Sequence, residues 1–356
     1  MKKINILIYT LFLVLNSSFD MPSLRAIITT SNLNKVAPVI EIYTGNQVDH
    51  SIKWSPDGRY LAFHGMRYLD IENNLSPVKI WNVETNELEI DFDHNISSVE
   101  WSPNGIYFAY LMVKPNKQEI SEPLFELVIR ETSTWDIAYT HTVDGGLGLL
   151  SYLEWSPDGK YLAINKSQLF NIWEVNYGNN PSLSVYWNIE HENILYQPIS
   201  WSPDSQYIAG YKEFIEDTNP YGYVTSVLNI AEKMTVFEME NVHENKWAPQ
   251  SSLLALINFK NIKLFDTISQ SYLWESDFIL GTPRYISWSL DETMIIVPTS
   301  DRLDDHSLRI FNALTGEEIY LLEYHLTSVS YAEWSPDGNK IASSDQHGNI
   351  IIWGIP

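Results

Sequence analysis

The chain has 356 residues, 44% apolar and 13% aromatic but only 19% charged, a mixture that suits many half-buried strands better than solvated helices. Its 45 acidic and 22 basic residues leave a formal net charge of −23; with no Lys/Arg run to offset it, that surface repels phosphate backbones and speaks against a nucleic-acid partner. Cysteine is absent, which removes disulfides, thiolate zinc sites and a cysteine nucleophile.

The chain opens with Lys2 and Lys3 ahead of an apolar run from Ile4 to Leu15, followed by Ser17 and Ser18. As a helix this run covers about 18 Å, short of the ~30 Å hydrocarbon core of a bilayer. Residues 1–18 therefore read as a signal peptide-like segment. That predicts export, periplasmic or secreted, with a cytoplasmic location if the segment is not a signal and membrane contact only if it stays uncleaved. Residues 19–35 read as a linker and 36–356 as a single repeat domain.

From there one signature recurs. Trp-Ser-Pro-Asp-Gly begins at Trp54, Trp155 and Trp334; Asn replaces Asp in the copy at Trp101, and Ser replaces Gly in the copy at Trp201. Decayed copies start at Trp247 and Trp288, so the successive spacings are 47, 54, 46, 46, 41 and 46 residues. Ser-Pro-Asp-Gly is a turn: Pro presets φ, Asp bonds its local backbone and Gly accepts positive φ. A short alternating segment precedes each turn, as in Tyr152-Leu153-Glu154-Trp155, and an apolar strand follows it, as in Tyr60-Leu61-Ala62-Phe63. Eight residues after the seven tryptophans stand Ala62, Ala109, Ala163, Ala209, Ala255, Ile296 and Ala342, which predicts a tight site against a neighbouring sheet. A third strand closes each unit, for example Val78-Lys79-Ile80-Trp81 and Ile350-Ile351-Ile352-Trp353, and a fourth follows in most.

Four short antiparallel strands per ~47 residues make one blade of a propeller. The fold class is all-β, a seven-bladed β-propeller. The last unit has no fourth strand after Trp353, and a spare one, Val39-Ile40-Glu41-Ile42-Tyr43, lies at the other end of the repeat region. The expectation is that this N-terminal strand completes the final blade and closes the ring.

These repeats resemble the WD-repeat family from Val36 to Pro356, with His325, Trp334 to Gly338, Ile341-Ala342-Ser343 and Ile350 to Trp353 in the family's register. The resemblance implies a buried His–Ser–Asp–Trp hydrogen-bond network in each blade, with an acid six residues before the closing aromatic. Asp305, six before Phe311, keeps that structural acid; His347 occupies the position in the last unit, so the network is expected to be mostly missing. TolB-like periplasmic propellers also carry Ser-Pro-Asp-Gly followed by an Ala-containing strand.

No catalytic constellation stands out. Nine histidines are scattered with no His-x-x-x-His pair, no Gly-x-Ser-x-Gly elbow or phosphate loop occurs, and Asp301, Asp304 and Asp305 lack calcium-loop spacing. No cofactor or metal is expected. The expected function is a non-catalytic scaffold for a protein or peptide partner, as a monomer or within a complex. Binding is expected on the face carrying long connections near residues 64–77, 112–125, 211–225 and 299–307, through Arg67, Tyr68, Lys212, Phe214, Tyr221 and Tyr223. The alternatives are an exported propeller hydrolase or lyase, which requires acids or histidines converging at the channel mouth, and a carbohydrate or small-ligand binder.

Overall fold

Each signature tryptophan ends a short strand, and the turn behind it is held by one repeated set of hydrogen bonds. In the computed structural model, Ser55 Oγ donates to Asp57 Oδ1 at 2.6 Å, Asp57 Oδ1 accepts from Arg59 N at 3.1 Å, and Ser55 Oγ accepts from Tyr60 N at 2.9 Å. The same triangle recurs at Ser102–Asn104, Ser156–Asp158, Ser202–Asp204, Ser289–Asp291 and Ser335–Asp337. Asn104 serves as well as aspartate because an amide oxygen accepts the same two bonds. At the Gly position φ is +69° at Gly58, and Ser205 and Glu292 are held there at 60° and 57° without glycine's freedom. In the fifth unit Ala248 replaces the serine, and the backbone bond from Ala248 N to Leu253 O at 2.9 Å closes the turn alone.

The structure describes residues 26–44, 52–64, 77–92, 96–114, 124–143, 151–166, 169–177, 181–189, 196–216, 219–258, 261–277, 282–283, 285–300 and 306–356. They form seven antiparallel sheets in sequence, the blades of the expected propeller. The inner strands of blades 1 to 5 are Ile52–Trp54, Ile96–Trp101, Ser151–Trp155, Tyr196–Trp201 and Glu244–Trp247. Blade 6 has its inner strand in two pieces, Thr282–Pro283 and Ser287–Trp288, both paired with Met294–Ser300. Blade 7 runs Val329–Trp334, Lys340–Asp345, Asn349–Gly354, and its outer strand is Ala37–Tyr43. Ile40 faces Ile352 and Ile42 faces Ile350 across that ladder, so the ring closes as the sequence predicts. The stretch before it, expected as linker over 19–35, contributes to the core: Ile28 and Leu33 are buried with the adjoining Val36 among blade 6 and blade 7 side chains, and Ile28 N donates to Gly338 O at 2.9 Å.

The seven tryptophans are all buried, and each packs against the preceding blade. Trp101 shares a cluster with Ala62 and Ile80 of blade 1, Trp201 with Ala163 and Ile172 of blade 3, and Trp54 with Ala342 and Ile352 of blade 7. The alanine column is thus explained: the next blade's indole occupies the volume that a longer side chain would need. Four of the seven indoles also donate across the blade boundary. Trp54 Nε1 reaches Glu333 O at 3.3 Å, Trp101 Nε1 Lys53 O at 3.2 Å, Trp201 Nε1 Glu154 O at 3.2 Å and Trp288 Nε1 Lys246 O at 3.1 Å.

Candidate functional site

Side chains two residues apart on a strand share a face, so each inner strand directs alternate positions toward the propeller axis. One layer comes from the residue just before each tryptophan: Lys53, Glu100, Glu154, Ser200, Lys246, Ser287 and Glu333. Each pairs in the ladder with the small-residue column, Lys53 with Ala62, Glu154 with Ala163 and Glu333 with Ala342 among them. A second layer, two residues earlier, holds Ser98, Tyr152, Glu244, Tyr285 and Tyr331. In blade 3 Tyr152 pairs with Asn165 and Trp155 with Leu162, while Lys166 meets Leu169 at the next connection. The second layer therefore lies toward the face where second strands pass to third strands, the face expected to bind.

These groups act on one another across the axis. Lys53 Nζ lies 2.6 Å from Glu100 Oε2, and Lys246 Nζ lies 3.6 Å from Glu154 Oε1. Burial disfavours the charge on Lys53, but Glu100 foremost, then Tyr152, Tyr285 and Glu333, hold its pKa well above the ordinary lysine value. Lys246 is also raised: Glu154, with Tyr152 and Glu333, outweighs burial and the repulsion of Lys53. Burial pushes Glu333 up to about 7 against the pull of Lys53 and Lys246, with Glu100 adding repulsion. It raises Glu154 as well, and lifts Glu244 well above the carboxylate range against Lys246. The hydroxyls of Tyr152, Tyr285 and Tyr331 are raised by burial; Tyr331 Oη donates to Tyr285 Oη at 2.8 Å, with the two rings stacked 4.0 Å apart. Glu154 Oε2, Glu244 Oε1 and Glu333 Oε2 are buried carboxylate oxygens with neither a hydrogen bond nor an ion pair among the described residues, whereas Glu100 Oε2 has the Lys53 ion pair but no hydrogen bond of good geometry.

This axial cluster was not among the residues expected from sequence. Of those, Arg67 and Tyr68 lie outside the described residues, as do Asp305 and the Asp301/Asp304 cluster. Lys212 and Phe214 stand on the second strand of blade 4, Tyr207–Glu216, and Tyr221 and Tyr223 on the third, Asn219–Asn229. The segment read as a long loop over 211–225 is instead a strand pair, with Lys212 opposite Val224, Glu213 opposite Tyr223 and Phe214 opposite Gly222. Its aromatic and β-branched content continues the ladder where a long loop was expected. No group of three or more His, Asp or Glu side chains able to hold a metal occurs among the described residues.

Blade 7 corrects the expectation that the His–Ser–Asp–Trp network is lost there. His325 Nε2 lies 2.7 Å from Ser343 Oγ, Trp353 Nε1 donates to Ser343 Oγ at 2.8 Å, and His325 Nδ1 lies 3.1 Å from Asp345 Oδ2. The acid is Asp345, two residues before His347, whose backbone N donates to Asp345 Oδ1 at 2.9 Å. Asn349 Nδ2 also donates to both carboxylate oxygens of Asp345. The tight turn from Asp345 to Asn349 brings the earlier acid under the imidazole, which counting back from Trp353 did not anticipate.

Comparison with known proteins agrees with this geometry. Residues 316–354, spanning the outer strand of blade 6 and the first three strands of blade 7, match the WD domain, G-beta repeat family. Protein cortex of Heliconius melpomene is 24% identical over 305 residues, covering 85% of this chain and 58% of that protein. Protein cortex of Heliconius erato aligns with the same identity and coverage, so the chain spans 58% of the length of these curated relatives. A chain from the crystal structure of a mitotic checkpoint complex superimposes with a TM-score of 0.67 at 18% identity, over 99% of both chains, a likeness of fold.

Proposed function

Starting from a seven-bladed propeller of the WD-repeat family, we propose that this chain is a non-catalytic scaffold that binds a protein or peptide through the face carrying the longer connections. The observation that carries the reading is the blade 4 hairpin. Its second and third strands have 10 and 11 residues, against 5 and 5 in blade 1, so Lys212, Phe214, Tyr221 and Tyr223 sit on a longer strand pair than that of blade 1. Aromatic and cationic side chains on such a support are typical anchors of an interface. The similarity to a chain that belongs to a named complex supports a place in an assembly. Export, expected from residues 1–18, is part of the proposal, and N-terminal sequencing of native material tests it.

The experiment is partner capture from the native host with the unchanged chain and with Arg67, Tyr68, Phe214 and Tyr223 replaced together by alanine. The variant is expected to lose a partner that the unchanged chain retains; full retention refutes the reading. An enzymatic reading draws on one observation, the Glu333 carboxyl pushed up to about 7, a value suited to a general acid. The other carboxylates of its layer, Glu100 and Glu154, are each held by a lysine, which supports a binding role over a free acid–base pair.

A further inference from the structure

We propose that the axial channel receives one cationic side chain, a guanidinium or ammonium carried by the partner, with Glu244 the first carboxylate it meets. This rests on the scaffold reading and names the chemistry of what that scaffold holds.

Charge is unbalanced along the axis. Four carboxylates, Glu100, Glu154, Glu244 and Glu333, face two lysines. Those lysines are already engaged, Lys53 with Glu100 at 2.6 Å and Lys246 with Glu154 at 3.6 Å. Glu244 and Glu333 have no ion pair within 4.0 Å among the described residues, and each keeps a buried oxygen with no partner. Glu244 is 7% exposed and stands in the layer nearer the proposed binding face. A buried carboxylate without a partner costs several kcal/mol in the charged form, so a cation arriving beside it gains most of its interaction by relieving that cost.

The walls suit such a guest. Tyr152 and Tyr285 share the layer with Glu244, and a cation beside a phenol face gains the quadrupole attraction. The channel already holds one cation this way: Lys53 Nζ lies 5.8 Å from the centre of the Tyr152 ring while it pairs with Glu100. The carboxylates come from four different blades and form no three-ligand group, so a single charge on a long stem fits better than a divalent ion that wants several oxygens at once. The net charge of −23 favours the approach of cationic segments.

The test uses the full chain and a capped probe, acetyl-Ala-Ala-Arg-Ala-Ala-amide, with its lysine and citrulline counterparts, titrated calorimetrically at pH 7.5. Binding of the arginine and lysine probes is expected, with the citrulline probe at least tenfold weaker. Glu244→Gln weakens the arginine probe at least tenfold, while Glu87→Gln, which removes the same charge from an exposed outer strand, leaves it unchanged. Three results overturn the proposal: no binding of the arginine probe, equal binding of citrulline, or equal effects of the two substitutions. The arginine-to-citrulline comparison on the unchanged chain stands even if Glu244→Gln does not fold. If the four-alanine variant loses its partner while Glu244→Gln leaves the probes unaffected, the scaffold stands and the channel proposal falls. If the four-alanine variant keeps its partner, the scaffold reading fails by itself.

Discussion

The hydrogen bonds from indoles to the preceding blade allow a paired measurement. Trp201 and Trp155 are each 5% exposed, each packs into the preceding blade's core, and each stacks on a tyrosine, Tyr161 at 6.1 Å and Tyr177 at 6.4 Å. Their indole nitrogens differ: Trp201 Nε1 donates to Glu154 O at 3.2 Å, whereas Trp155 Nε1 is buried with no hydrogen-bond partner among the described residues. Replacing each by phenylalanine removes a similar volume, so the packing losses largely cancel in the difference. Trp201→Phe also loses a hydrogen bond with a net contribution of about 1 kcal/mol, while Trp155→Phe removes a buried donor that was already unpaired. Trp201→Phe is therefore expected to cost ~1–2 kcal/mol more than Trp155→Phe. The assay is urea unfolding followed by far-ultraviolet circular dichroism, which does not depend on the tryptophan removed, with an unchanged m-value required of both variants. Equal costs, or a larger cost at Trp155, would refute the claim that these indole bonds tie one blade to the next.

Two pH predictions follow from opposite shifts. Glu333 has its folded pKa raised from 4.5 to about 7, so the folded chain binds this proton more tightly and stability falls as pH rises between those values. Glu333→Gln should abolish that fall, raising stability at pH 8 by on the order of 2 kcal/mol and changing little at pH 5; an identical pH profile for both chains would count against it. Asp345 goes the other way: burial alone would raise it, but hydrogen bonds from His325 and Asn349 hold it below its ordinary 3.8. Its contribution is present above that ordinary value and is lost as pH falls through the depressed one. Asp345→Asn should cost about 2–3 kcal/mol at pH 7, with the gap to the unchanged chain closing below pH 4 in denaturant titrations; a gap independent of pH would show that the charge does not matter.

The repeat was legible because its parts are local. Ser-Pro-Asp-Gly fixes a turn by its own hydrogen bonds, and the alanine eight residues after each tryptophan reports a contact repeated at every blade boundary. Closure through Ala37–Tyr43 could be read from a missing strand at one end and a spare one at the other. The axial cluster was harder to see. Lys53, Glu100, Glu154, Lys246 and Glu333 lie far apart in the chain, and each alone reads as one polar residue in an alternating strand. Their common position just before a tryptophan was visible in the repeat, but its meaning depends on knowing that this strand lines the axis. Asp345 was missed because counting back from Trp353 assumes a fixed turn length, and here the turn is longer. Continuation of the blade 4 ladder past Tyr211 was hidden by Asn219, Pro220 and Gly222, which look like loop residues although they lie within a strand.

The latch between Ala37–Tyr43 and Asn349–Gly354 has a consequence for how the chain is made. Thr44 and Gly348, at the edge of that ladder, are 304 residues apart. At translation speeds of about 5–20 residues per second, the N-terminal strand waits some tens of seconds before its partner leaves the ribosome. Through that interval its ladder groups are unpaired and open to mispairing with a neighbouring nascent chain. Shielding of that first strand during synthesis is therefore expected to affect the yield on expression.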